Sequence, residues 1–270
     1  MSPWIAAFIA LFVWWFSTGT ILMAVKYADI SGGAAPRRAT LFGLPLLALG
    51  AFGAWWSFPQ ETILGVYVAF LSALAIWGWI ELAFLTGVIT GPNDYDLPPG
   101  VAGLERFIRA WGTLAYHEML LVAALVGLFL AGWDAPNTFA PWTFAVLFFA
   151  RISAKLNLFF GVPRINVDFL PRALGHLPSH FRIRPMNWLF PFSVTALTFA
   201  AACWLERLYA ADTPGAITGF ALLTALTTLA LVEHWVMVLP IPDEKLWRWM
   251  LPAPKPPTQN TINEGGHHGL

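Results

Sequence analysis

Residues 144–181 read FAVLFFARISAKLNLFFGVPRINVDFLPRALGHLPSHF, and this stretch places charges inside an apolar helix. The pattern predicts a helix that takes in Arg151, Lys155 and Asn157 before it ends near Gly161. A charge at hydrocarbon depth costs at least ~2.5 kcal/mol, so it needs partners within a bundle or a route to the interface. Arg151 and Lys155 are four residues apart and therefore share one helix face.

The composition indicates an integral membrane protein. The chain has 270 residues, of which 58% are hydrophobic and only 11% are charged, whereas soluble domains carry roughly 25% charged residues. The formal net charge is zero, which gives no reason to expect a nucleic-acid partner. A single cysteine, Cys203, excludes an internal disulfide framework and a multi-cysteine metal site.

The apolar runs predict an all-α bundle of seven transmembrane helices within residues 1–240. The predicted spans are 4–25, 41–58, 62–90, 106–133, 139–160, 188–210 and 215–239. Residues 162–187 form the sizeable polar connection, and the tail 241–270, which is rich in Pro, Asn, Gly and Lys, is expected to be cytoplasmic and largely disordered.

The distribution of Lys and Arg predicts the orientation of the bundle. These residues fall in alternate loops, and only Arg207 lies on the other side. The positive-inside rule then places the N-terminus in the periplasm and the C-terminus in the cytoplasm. Within 162–187, arginines interleaved with apolar residues favour a short amphipathic helix that binds an anionic membrane surface or a partner. These arginines are Arg164, Arg172, Arg182 and Arg184.

Polar residues in the other spans lie at depths similar to that of the Arg/Lys face. The predicted buried polar cluster comprises Glu81, His117, Glu118, Arg151, Lys155, Asn157, Glu233 and His234. Carboxylates and cations at similar depth neutralise one another most cheaply, because an unpaired buried charge is far more costly than a paired one. The favoured interpretation is an ion-pair network that fixes helix packing.

Three other interpretations of the cluster remain open. His117 or His234 could be the axial ligand of a tetrapyrrole such as bacteriochlorophyll or a precursor. Glu81, His117, Glu118, Glu233 and His234 could instead supply ligands to iron in an intramembrane oxidase or hydroxylase of a hydrophobic pigment precursor. The di-iron bundle pattern, however, needs Glu-x-x-His on one helix face. A proton or ion pathway is the third alternative.

Motifs of catalysis are missing from the sequence. It contains no Gly-rich phosphate loop, nucleophile elbow or HExxH motif, so catalytic residues stay unassigned and a non-enzymatic role is favoured. His176 and His180 are four residues apart, but Pro178 between them disfavours a shared helix face. We therefore expect surface histidines at these positions.

Four stretches carry a resemblance to a known family. They are ARISAKLNLFFGVP (150–163), FLPRALGHLPSHF (169–181), WIELAFLTGVITGP (79–92) and the ERFIRAW and YHE segments within 105–118. With these motifs the chain resembles, over most of residues 1–245, the PuhE-type photosynthetic complex assembly proteins of purple phototrophic bacteria.

The resemblance implies a multi-pass protein of the bacterial inner, photosynthetic intracytoplasmic membrane. It implies an assembly or regulatory factor for reaction-centre and light-harvesting complexes that influences bacteriochlorophyll supply. Reaction-centre or light-harvesting subunits would then be its partners, besides the anionic lipids that the basic loop indicates. The family carries no catalytic residues to transfer.

Overall fold

The computed structural model describes residues 2–165, 167 and 170–239, and in these residues the secondary structure is almost entirely α-helical. The predicted tail 241–270 lies outside the described residues. The helices are α1 (Pro3–Ser31), α2 (Ala35–Phe42), α3 (Leu44–Ser57), α4 (Ile63–Leu85), α5 (Gly103–Gly112), α6 (Ala115–Ala131), α7 (Phe139–Phe160), α8 (Leu189–Tyr209) and α9 (Pro214–Val236).

Helices α4 and α9 form the interior of the bundle. In their most apolar windows 56% and 50% of residues are buried, against 11–22% in the other long helices. Helix α4 packs against α3, α7, α9, α1 and α6, and α9 also packs against α8 and α1. Small residues such as Ala69 and Ala73 on α4 let these neighbours approach closely. Helix α4 is thus positioned to carry a polar side chain to several helices at once.

Among the described residues, six helical stretches are long and apolar enough to cross a membrane, or seven if one bent pair counts as a single span. Helices α2 and α3 together make one of these stretches, Ala35–Ser57. The bent pair is α5 and α6, whose axes differ by 71° where residues 113–114 separate them. The predicted span 106–133 is therefore two helices rather than one straight helix, and the number of spans depends on how this pair is counted.

Helix α5 has the pattern of a helix that lies along a membrane surface. Leu104, Phe107, Ile108 and Trp111 form one exposed apolar stripe at helical spacing. On the opposite side, Arg106 is buried against the protein. This amphipathic pattern accounts for the sharp turn, because a stripe of this kind suits the interface rather than a transmembrane path.

The loops between the helices lie at the two ends of the bundle. At one end Asn137 binds the loop before α4, because its backbone N–H donates to the Phe58 carbonyl and its side chain donates to the Gln60 carbonyl. At the opposite end Arg172 lies beside Asp29, which is in the last turn of α1. We call this second end the basic end. Its arginines are Arg37, Arg38, Arg106, Arg109, Arg164, Arg172, Arg182 and Arg184.

The connection 162–187 differs from the predicted amphipathic helix in its described part. It contains two short 3-10 helices, Arg172–Leu174 and Leu177–His180, and a parallel bridge between Val162 and Ile183. Pro171 and Pro178 explain the short turns, since proline lacks the N–H that a longer helix would use. Leu174 and Leu177 pack against Phe84 at the end of α4, so this loop covers the bundle.

Candidate functional site

Three helices bring five of the predicted cluster residues together. Glu81 lies one turn before the end of α4, and His117 and Glu118 lie in the first turn of α6, directly after the bend from α5. Arg151 and Lys155 extend from one face of α7. The residue types indicated that these charges would meet, and the position of α4 between α6 and α7 makes the meeting possible. We call these five residues the charged cluster.

Two ion pairs neutralise the charged cluster. Arg151 donates through Nη2 to Glu81 Oε2 at 3.3 Å, and Lys155 donates through Nζ to Glu118 Oε1. The Glu118 and Glu81 side chains are 2% and 9% exposed, whereas that of Arg151 is 41% exposed. Because each carboxylate has its own cation, both charges can lie within an apolar bundle. The pairs connect α7 to α4 and to α6.

His117 lies between the two carboxylates. Its side chain is fully buried and stacks on the Phe84 ring with 4.3 Å between centroids. Its Nε2 atom is 3.8 Å from Glu81 Oε1 and 4.0 Å from Glu118 Oε1, distances longer than a hydrogen bond. Among the described residues, neither ring nitrogen of His117 has a hydrogen-bond partner. The imidazole thus fills the space between the carboxylates without linking them directly.

His234 belongs to a second, uncharged network. Its Nδ1 lies 2.8 Å from the Ala230 carbonyl and its Nε2 lies 2.9 Å from Ser153 Oγ. A carbonyl only accepts, so Nδ1 carries the proton and Nε2 accepts from the Ser153 hydroxyl. This contact joins α9 to α7 on the side of Ser153, away from the ion pairs.

Asn157 extends the uncharged network to α8. Its amide donates to the Ser153 carbonyl and to Ser193 Oγ, both at 2.9 Å. Its Oδ1 accepts from Asn187 Nδ2 at 3.0 Å, and Asn187 also donates to the Gly161 carbonyl at 2.8 Å. Asn187 Oδ1 in turn accepts from the backbone N–H of Leu189 and Phe190, which caps the start of α8. The network therefore fixes α8 against the end of α7.

Glu233 lies outside both networks. It is exposed on α9, whereas its neighbour His234 is buried. Adjacent helical residues point about 100° apart, and on α9 the side of His234 faces the bundle interior while that of Glu233 does not. Within the described residues Glu233 makes no ion pair.

The histidines do not present an open ligand position. Both ring nitrogens of His234 are used by Ser153 and Ala230, and the ring of His117 is enclosed by Phe84 and two carboxylates. In the described residues, no three or more His, Cys, Asp and Glu side chains have an arrangement that could hold a metal ion. His234 therefore has no free ring nitrogen for a macrocycle, and axial ligation by His117 would require the stacked Phe84 ring and the two carboxylates to move away from the imidazole.

The four predicted surface arginines divide into two kinds. Arg164 donates to the Leu239 carbonyl at 3.1 Å, and Arg172 lies 3.8 Å from Asp29, so both are held by neighbouring elements. Arg182 and Arg184 have no ion-pair partner or side-chain hydrogen bond among the described residues. They remain the members of this group that are available to an external anion.

Arg106 and His180 were not predicted as buried residues. Arg106 is 3% exposed, donates to the carbonyls of Phe159 and His180 at 2.8 and 2.6 Å, and lies 3.8 Å above the Phe159 ring. His180 was expected at the surface but is buried, 3.3 Å from the Tyr95 carbonyl. Burial lowers the pKa of His180 below its ordinary value. In the sequence, only the amphipathic pattern of α5 indicated that Arg106 would face the protein.

Comparisons with known proteins match nearly the whole chain. A family described as "Protein of unknown function (DUF3623)" matches residues 1–258. A protein of Rhodobacter capsulatus, described as "Uncharacterized 30.4 kDa protein in puhA 5'region", is 55% identical over 258 residues, which cover 96% of this chain and 94% of that protein. No solved structure matches the chain.

Proposed function

The chain belongs to the DUF3623 family, and we propose that it is an assembly or regulatory factor for photosynthetic reaction-centre and light-harvesting complexes. In this proposal it acts as a multi-pass protein of the bacterial inner, photosynthetic intracytoplasmic membrane. Its N-terminus is periplasmic, and the basic end and the C-terminal tail are cytoplasmic, as the positive-inside rule favours. Its effect on bacteriochlorophyll supply follows from its action on the complexes that bind the pigment.

One observation carries the proposal. The Rhodobacter capsulatus relative is placed by its name in the puhA 5' region, a photosynthesis gene region, and it matches this chain at 55% identity almost from end to end. A match of this extent covers every described helix, so the two proteins share their whole architecture. The gene region supports a role in photosynthesis, and the membrane bundle narrows that role to events within or at the membrane.

The side-chain geometry favours an assembly role over pigment chemistry. Each carboxylate of the charged cluster is paired with a cation, and the cluster connects three helices. Both ring nitrogens of His234 are occupied within the protein. An interior of this kind stabilises the bundle, so contacts with other molecules would be made by the surface. We therefore propose that the basic end receives reaction-centre or light-harvesting subunits and anionic lipids.

A deletion strain tests this proposal. The gene is removed without polar effects in a phototrophic host, and reaction-centre and light-harvesting complexes are quantified by absorption of isolated membranes and by native electrophoresis. We expect fewer assembled complexes, restoration by the wild-type gene, and an unchanged level of a respiratory membrane complex. Normal amounts of both photosynthetic complexes in the deletion strain would overturn the proposal.

A further inference from the structure

The segment after the loop turns is fixed against the end of α7. Gly161 has a φ of 120°, which reverses the chain, and Val162 then bridges to Ile183. The Arg182 N–H donates to the Leu158 carbonyl at 3.1 Å, and the Arg184 N–H donates to the Val162 carbonyl at 3.1 Å. These bonds hold a short extended segment at the basic end.

The extended segment directs two arginines to one side. In extended backbone, residues i and i+2 lie on the same face and the residue between them lies on the other. Arg182 and Arg184 thus share a face, and Ile183 between them is 78% exposed. The stem of Arg184 crosses Gly161, where an added Cβ would lie 2.9 Å from Arg184 Cγ. The backbone therefore places both arginines on the same face of this segment.

Arg106 adds a third positive charge beneath this pair. It is buried and bound to the carbonyl of His180, two residues before Arg182. Arg106 donates to the Phe159 carbonyl and the Arg182 N–H donates to the Leu158 carbonyl, so both residues contact the end of α7. Among the described residues, the arginines and lysines that form ion pairs are others, namely Arg109, Arg151, Lys155, Arg172 and Arg207.

Within the described residues, no carboxylate pairs with Arg106, Arg182 or Arg184, so this group of charges favours the binding of an anion. The carbonyls at the end of α7 offset part of it, but they are used by Arg106 and by the Arg182 backbone. Guanidinium groups bind phosphate oxygens through paired N–H donors. Arg182 and Arg184 can offer these donors at the surface, and Arg106 strengthens the local field from below.

The neighbouring helix indicates the source of the phosphate. Helix α5 carries Arg106 on its inner side and an exposed apolar stripe on its outer side. Exposed Trp188 lies in the sequence just after the arginine pair. Apolar and aromatic side chains of this kind lie at the depth of lipid headgroups. We propose that Arg182 and Arg184, supported by Arg106, bind the phosphate of an anionic phospholipid whose acyl chains lie against α5, a site that rests on the lipid contact proposed above for the basic end.

Native mass spectrometry of the full chain tests this site. The delipidated protein in mild detergent is titrated with phosphatidylglycerol or phosphatidylcholine, and bound lipid is counted. We expect phosphatidylglycerol to be retained at about one molecule per chain and R182Q/R184Q to weaken this binding about tenfold or more. The matched control is R37Q/R38Q, which removes the same charge from exposed residues of α2 at the same end and should bind like wild type.

Three results would overturn the proposal. The first is that phosphatidylcholine is retained as well as phosphatidylglycerol. The second is that R182Q/R184Q and R37Q/R38Q lose the same amount of bound phosphatidylglycerol. The third is that the protein binds inorganic phosphate but retains no lipid. If R182Q/R184Q does not fold, R182K/R184K keeps the charge and removes the paired donors. We then expect weaker but still selective binding of phosphatidylglycerol, and loss of its preference over phosphatidylcholine would contradict the site.

Discussion

Arg151 on α7 donates a hydrogen bond to Glu81 on α4, with 3.3 Å between Nη2 and Oε2. One turn further along the same face, Lys155 donates to Glu118 on α6. A single face of α7 therefore holds two different helices through two separate charges. The arrangement stabilises the bundle only while each carboxylate keeps its cation, because a buried charge without a partner is strongly unfavourable.

Removing the Lys155 cation should destabilise the bundle. Lys155→Met leaves the Glu118 carboxylate, which is 2% exposed, without its partner, and we expect a loss of about 3–5 kcal/mol in the free energy of unfolding. The double variant E118Q/K155M removes both charges and should regain most of this loss. Unfolding in mixtures of a mild detergent and sodium dodecyl sulfate measures the free energy of unfolding of both variants.

Arg207→Met is the control for this pair. Its side chain is 68% exposed and lies 3.8 Å from Glu206, so the free energy of unfolding should change by about 0.5 kcal/mol or less. Equal losses in K155M and E118Q/K155M would show that Lys155 acts through packing and not through its charge.

Much of the charged cluster could be predicted from residue types and depth. Charges four residues apart on one apolar helix needed partners, and Glu81 and Glu118 were among the few carboxylates in other spans. The sequence could not show which of Glu233 and His234 faces inward, because adjacent residues differ by about 100° and both sides of α9 are apolar. The sequence also could not show that His234 binds Ser153 and that Asn157 binds Ser153 and Asn187 in a separate, uncharged network.

Gly161→Ala should be destabilising. The φ of 120° is unfavourable for a residue with a Cβ, and that Cβ would lie 2.9 Å from Arg184 Cγ. We expect a loss of about 1–3 kcal/mol, measured by the same unfolding assay. Gly127→Ala is the matched control, since a Cβ there meets nothing within 4 Å and should leave stability unchanged or raise it by about 0.5–1 kcal/mol. Similar effects at both glycines would contradict the prediction.

Asn187→Ala should loosen α8. The substitution removes the cap of this helix and leaves Asn157 Oδ1 without the Asn187 donor, so we expect a loss of about 2 kcal/mol or more. Hydrogen exchange should increase in the first turn of α8 and less in the distant first turn of α4. Thr198→Ala, an exposed position on α8 whose hydroxyl binds only its own helix, is the control. Unchanged exchange at the start of α8 would argue against the cap.

Acid should open the loop around His180. Burial holds the pKa of His180 below its ordinary value, so the unfolded loop binds a proton more readily than the folded one. The stabilisation is complete above about pH 6.5 and is lost as the pH falls toward the folded-state pKa. The protection factors of residues 174–181, which correct for the slower intrinsic exchange at acid pH, should therefore fall between pH 7 and pH 5. His180→Gln should reduce this pH dependence relative to wild type. If the protection factors of residues 174–181 depend on pH equally in the variant and in wild type, another group, such as His176, is responsible.

The fold was predictable where the length of an apolar run determines a helix, and it was less predictable where a helix bends. The apolar runs indicated the long helices, because crossing a membrane requires about 20 apolar residues. The 71° turn between α5 and α6 has no proline, and only the amphipathic stripe around Phe107 distinguishes α5 from a transmembrane segment. The burial of Arg106 and His180 depends on loop contacts distant in sequence, which periodicity cannot reveal.

The most direct measurement follows complex assembly over time. Deletion and wild-type cells are shifted to conditions that induce photosynthetic membranes, and labelled reaction-centre subunits are followed into assembled complexes. We predict that the subunits are made at the wild-type rate in the deletion strain but enter assembled complexes more slowly or to a lower level. Assembly at the wild-type rate, or a fall in subunit synthesis that fully accounts for the fall in complexes, would contradict an assembly role.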